Sequence, residues 1–298
     1  STTLGASDCS LIDFNRAGVP LMELVTEPMI ASAKQASDFA RELQLLLRYL
    51  GAGEANMEKG QMRIEANISV SAGSVLGTKV EVKNLNSFRA VEHAIAYEVE
   101  RHTSLLESGG VIVQETRGWD ENIGKTFSQR SKEEAQDYRY FPDPDLPKLS
   151  IKEVPEFAEA ILRAEMPELP KEKREKYRVL GIKEGDSEVL ITNRSLSLMF
   201  EAVAQILTDK TRLLLASNYL TSDLVGLVKK AQRNADTDSF PFDPSAFAEL
   251  IQMVSEKKLS SRGAKDILSV MYEKGGTPEV LAEKLGLMQK SDTGELTR

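Results

Sequence analysis

Two strand-like runs carry the densest chemistry in this sequence. In Gln61 to Val70, the residues Met62, Ile64, Ala66, Ile68 and Val70 alternate with Arg63, Glu65, Asn67 and Ser69. In Thr78 to Lys83, Val80 and Val82 alternate with Lys79, Glu81 and Lys83. A period of two places each polar set on one face of a strand. Such a row can hold a metal ion through Glu and anionic phosphates through Lys and Arg. It is equally the pattern of a solvated sheet face with cross-strand ion pairs, and the pattern alone favours that plainer reading.

Other clusters are less specific. Glu23 stands inside the apolar run Val19-Pro20-Leu21-Met22-Glu23-Leu24-Val25. A carboxylate buried there needs a partner or a cation, whereas an outward-facing Glu on a half-buried strand needs neither. Asp137 to Asp145 mixes Tyr138, Arg139, Tyr140 and Phe141 with acids and prolines. That mixture suits stacking a base and pairing a phosphate, or simply a packed Pro-rich crossover. Lys171 to Arg178 is a locally basic helix, which is more often a solvated face than a nucleic-acid contact. His93 and His102 are nine residues apart on one helix, about 180° around it, so they cannot share a metal. No CxxC, HExxH, P-loop, GxSxG or GxGxxG pattern occurs, which removes support from the zinc, common hydrolase, P-loop and Rossmann readings.

The elements that must position these residues fall into two groups. Ser32 to Leu50 reads as a helix, with Ser32 and Gln35 as a capping box and Gly51 at C′. The two alternating runs read as a hairpin through Ser71–Gly77. Ser87 to Ser108 reads as a second helix, closed by Gly109-Gly110. Val111 to Arg117 and Lys125 to Arg130 read as strands joined by a turn at Glu121–Gly124. Phe141–Pro147 breaks regular structure. From about Met166 helical patterns dominate, over 171–180, 195–207, 211–217, 221–232, 244–257, 260–273 and 277–285. The fold class is therefore α+β, with a mixed or antiparallel sheet followed by an all-α region. The expected division is a first domain over 1–165 and a helical domain over 166–298, with a hinge near 236–243.

Length agrees, since 298 residues at roughly 150 per domain suggest two domains. No stretch approaches the roughly 18 uninterrupted apolar residues of a membrane span. The first ten residues lack a basic and an apolar signal region. One cysteine, Cys9, fits a reducing compartment. The net charge of −8 is uneven. Residues 1–165 hold 18 Lys+Arg and 26 Asp+Glu, and the remainder (38 − 18 = 20 and 46 − 26 = 20) is neutral. A uniformly acidic chain would be a poor nucleic-acid binder; this one confines its excess to the mixed half.

Several long blocks resemble one family. Residues 13–28 (DFNRAGVPLMELVTEP) are similar to the D-x-N-R-x-G-x-P-L-x-E-I-V-[ST]-E-P segment of the GatB/GatE family of tRNA-dependent amidotransferase subunits. Residues 57–69 (MEKGQMRIEANIS) resemble its M-E-x-G-x-[LM]-R-x-[DE]-A-N-[IV]-S. Residues 77–88 (GTKVEVKNLNSF) resemble its G-[TV]-x-x-E-[VIL]-K-N-[LI]-N-S-F. Gln114–Arg117, Tyr138–Asp145, Ser260–Lys265 and Lys274–Gly276 match further blocks, in one order along nearly the whole chain. The match is stronger to the GatB branch than to the archaeal GatE branch.

The resemblance implies a glutamine-synthetase-like cradle, present here in its C-terminal part, and a kinase-like step. ATP with Mg²⁺ would phosphorylate the side-chain carboxylate of misacylated Glu-tRNA(Gln) or Asp-tRNA(Asn). Ammonia from the partner amidase GatA would then displace the phosphate, with the small protein GatC bridging the two. Carried over to this chain, Glu23 and Glu65 are metal-ligand candidates. Arg63, Lys79, Lys83 and Arg139 are the catalytic candidates, as phosphate or nucleotide contacts. Asn67, Asn84 and Tyr138 are nucleotide contacts. The family chain would extend beyond both ends of this one, upstream with a Glu/His metal segment and downstream with a tail domain that holds tRNA. The implied class is a glutamine-hydrolysing ligase of the cytoplasm or an organellar matrix, inactive as this piece alone. The alternatives are a non-catalytic tRNA- or partner-binding module and a GatE-type homologue.

Overall fold

The computed structural model of the chain describes residues 12–15, 17–131, 144–232 and 240–289. These form two compact units, Ser1–Ala40 with Ile64–Glu134, and Arg41–Arg63 with Ala135–Arg298. The division is not a single cut, because helix α1 (Ala33–Tyr49) contributes its first half to one unit and its second half to the other. The expected hinge near 236–243 lies partly outside the described residues.

The first unit is a four-stranded sheet of order β1-β2-β3-β4, with β1 Ile64–Ile68, β2 Val80–Leu85, β3 Glu115–Asp120 and β4 Lys125–Ser131. The expected hairpin is present, with Asn67 opposite Glu81 and Ile68 opposite Val80. Its strands are shorter than the alternation suggests. Gly77 approaches the Val70 carbonyl so closely that an added Cβ would meet that oxygen at 2.2 Å. Only glycine fits there, which explains a residue without a side chain at the loop exit.

Helix α2 (Phe88–Glu107) connects β2 to β3, and those two strands run parallel. The sheet is thus mixed, as a βαβ crossover between two antiparallel pairs requires. Ser87 Oγ accepts from the Ala90 amide at 3.0 Å to start the helix. At its end Gly110 N donates to Leu105 O at 2.8 Å and Gly109 N to Leu106 O at 3.0 Å, the αL-glycine closure expected of Gly109-Gly110. Ala90, Val91 and Ala94 pack on Ile68, Val82, Leu85 and Trp119 to form this unit's core.

Strand β3 departs from expectation. Apolar alternation suggested Val111–Arg117, yet Val111 and Val113 are exposed and unpaired, and the strand runs on to Asp120. Its ends are set by hairpin pairing with β4 around the 121–124 turn, from Glu115↔Ser131 to Asp120↔Lys125. Pairing outweighed local hydrophobicity. The strand anticipated around Glu23 is also absent. Residues 19–27 are irregular, and Leu21, Met22, Leu24 and Val25 are exposed. A strand forms only where a neighbour accepts its ladder bonds.

The second unit is helical. It contains α3 (Glu159–Glu165), α4 (Pro170–Leu180), α5 (Glu184–Thr192), α6 (Arg194–Ile206), α7 (Lys210–Asn218), α8 (Val225–Lys230), α9 (Pro244–Ser255), α10 (Ser261–Lys274) and α11 (Pro278–Leu285). Helices α7 and α8 are one continuous rod joined by a π-helical segment, Tyr219–Leu224. Helix α5 was not anticipated. Its apolar residues Val189, Leu190 and Ile191 are contiguous rather than helically spaced, and tertiary burial of Leu190 and Ile191 makes it a helix. The core is centred on Tyr177, Phe200 and Phe247, with Tyr177 edge-on to Phe200 at 5.3 Å and 90°.

Candidate functional site

Strand alternation puts the core residues of β1 and β2 against α2 and their polar residues on the opposite face. There Lys83 Nζ lies 3.2 Å from Glu65 Oε1 and 3.8 Å from Glu81 Oε1. Thr116 Oγ1 donates to Glu81 Oε2 at 2.8 Å. One polar row therefore crosses three strands, Glu65–Lys83–Glu81–Thr116. The cross-strand ion pairs expected of a solvated face are present. They also hold two carboxylates, an ammonium and a hydroxyl in one line on a firm support.

Two irregularities of the sheet fall on this row. In β1–β2 the register runs from Ala66↔Val82 to Ile64↔Leu85, so Lys83 and Asn84 together oppose Glu65. Asn84 adopts φ +64°, the left-handed bulge conformation that Asn tolerates better than most residues. The extra residue returns Leu85 to the core face, three positions after Val82. In β3–β4 the register shifts between Thr116 and Arg117, leaving Gln129 as the additional residue. Bulges re-aim side chains and are enriched beside functional sites.

Beneath the row, on the α2 side, is a second polar cluster. Glu98 and His102 are fully buried, continuing the i, i+4 series Ala90, Ala94, Glu98, His102. Glu98 accepts from Arg101 Nη2 at 2.7 Å and from Thr126 Oγ1, and lies 3.2 Å from Arg117 Nε. His102 Nε2 is 3.1 Å from Glu98 Oε2, at ion-pair distance without hydrogen-bond alignment. Burial pushes the Glu98 carboxyl up, but His102, Arg101 and Thr126 outweigh it and hold it at about 2. Glu115, which accepts from Arg117 Nη1 at 2.6 Å and from Ser128 Oγ, is likewise lowered: burial opposes the shift, and the Ser128 and Arg117 contacts prevail.

The structure brings some sequence candidates together and leaves others apart. Glu65 and Lys83 are paired, and Asn67 stands opposite Glu81 on the same face. Lys79 and Arg63 are exposed in the residues just before β2 and β1. Glu23 is exposed in its irregular segment. Tyr138 and Arg139 lie outside the described residues. Among the described residues no group of three or more His, Cys, Asp and Glu side chains gathers closely enough to hold a metal ion. His93 is exposed and His102 buried, on opposite sides of α2 as the spacing requires. Sequence reasoning missed Thr116 and Glu98 as site-related residues; the only signal for Glu98 was its place in the buried i, i+4 series.

In the basic helix α4, Lys173, Arg174, Lys176 and Arg178 are held by carboxylates, and Lys171 is exposed. Arg174 is held by Glu42 at 2.7 and 2.9 Å and by Glu188 at 2.6 and 3.0 Å. Lys173 is buried with Glu201 and Ser197, its ammonium 5.2 Å from the Tyr49 ring centre. Lys176 pairs with Glu168 and Arg178 with Glu175. Among the described residues, a cavity of about 490 Å³ near Tyr177 and Phe200 and one of about 540 Å³ near Phe240 and Phe242 both belong to the helical unit, and neither is lined by a sheet residue.

Comparison with known proteins adds a second line. Residues 2–155 match the family described as the GatB/GatE catalytic domain, and residues 198–298 match the one described as the GatB domain. The chain is similar to the aspartyl/glutamyl-tRNA(Asn/Gln) amidotransferase B subunit of Persephonella marina, 41% identical over 99% of this chain and 62% of that protein. The same amidotransferase component from a Picosynechococcus species is 42% identical over 99% of this chain and 59% of its own. That of Rickettsia canadensis is 43% identical over 96% and 58%. The chain spans about three fifths of the length of these relatives.

Proposed function

The chain belongs to the GatB/GatE family, and from that premise we propose that its sheet face serves the ATP-dependent activation step of a tRNA-dependent amidotransferase. The substrate is misacylated Glu-tRNA(Gln) or Asp-tRNA(Asn). The γ-phosphoryl group of ATP passes to the side-chain carboxylate. Ammonia then displaces phosphate and leaves the amide. The ammonia comes from a partner glutaminase, GatA, held with this chain through GatC. The observation that carries this reading is the row Glu65–Lys83–Glu81–Thr116 on the sheet face opposite α2, inside the segment matched to a catalytic domain.

The chemistry suits the residues. Phosphoryl transfer needs positioning and charge compensation more than covalent help. Lys83 and Lys79, with Arg63 and Arg139, supply cations for phosphate oxygens. Asn67, Asn84 and Tyr138 supply polar and aromatic contacts for the nucleotide. The carboxylates on the face are hard oxygen donors of the kind Mg²⁺ takes. Mg²⁺ commonly uses only one or two of them, with phosphates and water completing its shell, so the lack of a three-carboxylate group among the described residues is compatible with it. Glu65 and Glu23 are the residues we assign to it. When bound, it neutralises charge on the transferring phosphoryl oxygens.

A mixed sheet packed on one side by α2 and carrying a polar row on the other supports the glutamine-synthetase-like cradle. Among the described residues no helix is long and apolar enough to cross a membrane. Work on aminoacyl-tRNA belongs where translation runs, in the cytoplasm or an organellar matrix. The test is transfer of label from γ-labelled ATP to misacylated tRNA by the assembled complex without glutamine. A complex that amidates tRNA with no ATP requirement would refute the proposal. The second reading, a binding module without chemistry, is favoured by the exposure of Glu23 and by the lack, among the described residues, of a group of three or more metal-ligating side chains. It predicts tRNA binding with no label transfer.

A further inference from the structure

The catalytic row rests on a polar underside where apolar packing would be expected. The first half of α2 meets the sheet through Ala90, Val91 and Ala94, and its second half through Glu98, with His102 buried beside it. Buried ion pairs are seldom better for stability than apolar residues of the same shape. What they supply is direction. Arg117 donates Nε to Thr126 Oγ1 at 2.8 Å, Nη2 to the Thr126 carbonyl at 3.0 Å and Nη1 to Glu115 at 2.6 Å, while Glu98 lies 3.2 Å from Nε. In β3, Arg117 stands between Thr116 and Gly118, whose positions pair with Glu81 and Lys83 on the opposite face. The ladder between β3 and β4 is interrupted at Thr116/Arg117. Where backbone pairing loses regularity, side chains from the underside stitch the two strands together.

We propose that Glu98 and Arg117 are positioning residues for the phosphoryl-transfer face, fixing where β3 presents Thr116 and thereby orienting Glu81 and Lys83. The role rests on the functional reading of that face given above. Neither residue touches substrate. Both act through the strand.

The experiment compares Glu98→Gln, Thr116→Val, their double variant and the core control Val91→Ala in the assembled complex. It records kcat, KM for aminoacyl-tRNA, Tm, and amide exchange of residues 115–120 without nucleotide. Glu98→Gln lowers kcat about 10- to 100-fold, the scale of a displaced reacting group. KM for aminoacyl-tRNA stays within about twofold of wild type, and the double variant is no more than about twofold slower than Thr116→Val, as expected for residues acting in series. Exchange over 115–120 rises in Glu98→Gln, and Val91→Ala lowers Tm while keeping kcat. Multiplicative losses in the double variant, or kcat falling in step with Tm across Glu98→Gln and Val91→Ala, would overturn the positioning role. A wild-type complex without label transfer would overturn the functional reading instead, and the exchange rise would then report only the mechanical coupling of Glu98 to β3.

Discussion

Glu98 of α2 reaches Arg117 of β3 at 3.2 Å beneath a sheet whose other face carries Thr116 hydrogen-bonded to Glu81. One strand thus links the buried Glu98 cluster to the polar row on the other face, where Thr116 is itself buried and Lys83 half-buried. The depressed Glu98 pKa makes this link sensitive to acid. A carboxyl held at about 2, against its ordinary 4.5, contributes stability that is complete above about pH 4.5 and lost as pH falls through 2. Glu98→Gln should lower stability by about 2–4 kcal/mol at pH 7, and its gap from wild type should narrow below pH 4.5. Urea unfolding at pH 7 and pH 3 checks both statements; an unchanged gap would show that Glu98 does not titrate as described.

Asn84 separates a backbone role from a chemical one. Its φ of +64° is strained for most side chains, so Asn84→Ala should cost about 1 kcal/mol and Asn84→Gly almost nothing. If the Asn84 amide also contacts nucleotide, Asn84→Gly loses ATP affinity while keeping its Tm. Thermal unfolding beside ATP titration of the assembled complex distinguishes the two.

Lys173 should behave as a structural cation. With its ammonium against Glu201, Ser197 and the Tyr49 ring, Lys173→Ala is expected to destabilise the helical unit by about 2–3 kcal/mol. The double change Lys173→Met with Glu201→Leu should recover most of that loss, because apolar groups can replace a mostly buried pair. Calorimetry of both variants beside wild type decides it, and tRNA affinity should not move.

Glu23 offers the opposite combination. It is exposed, so Glu23→Ala should leave stability within about 0.5 kcal/mol of wild type. As an assigned metal ligand, its loss should abolish phosphoryl transfer in the assembled complex. Normal activity in that variant would remove Glu23 from the site.

The sequence was most legible where local physics acts alone. Ser32 with Gln35, Gly51, and Ser87 with Gly109 marked helix ends correctly, because capping is settled within a few residues. The β1–β2 hairpin and its polar face followed from alternation. The span of β3, the parallel pairing of β2 with β3 and helix α5 did not, because partners distant in sequence determine them. The Glu65–Lys83 pair could be read from two strands, but Thr116 entered the row only through a parallel register that no local pattern encodes. Apparent basicity also misleads: in α4, Arg174 answers Glu42 and Glu188 rather than phosphate.

The most direct measurement is transfer of the γ-phosphoryl group of ATP to misacylated tRNA, without glutamine, by the assembled complex carrying Lys83→Met. Lys83 is half-buried between Glu65 and Glu81, and Met keeps its stem. A phosphoryl-transfer face predicts a rate loss of about 100-fold or more, with Tm and tRNA affinity close to wild type. Transfer at the wild-type rate would contradict the assignment of the Glu65–Lys83–Glu81–Thr116 row as the site of chemistry.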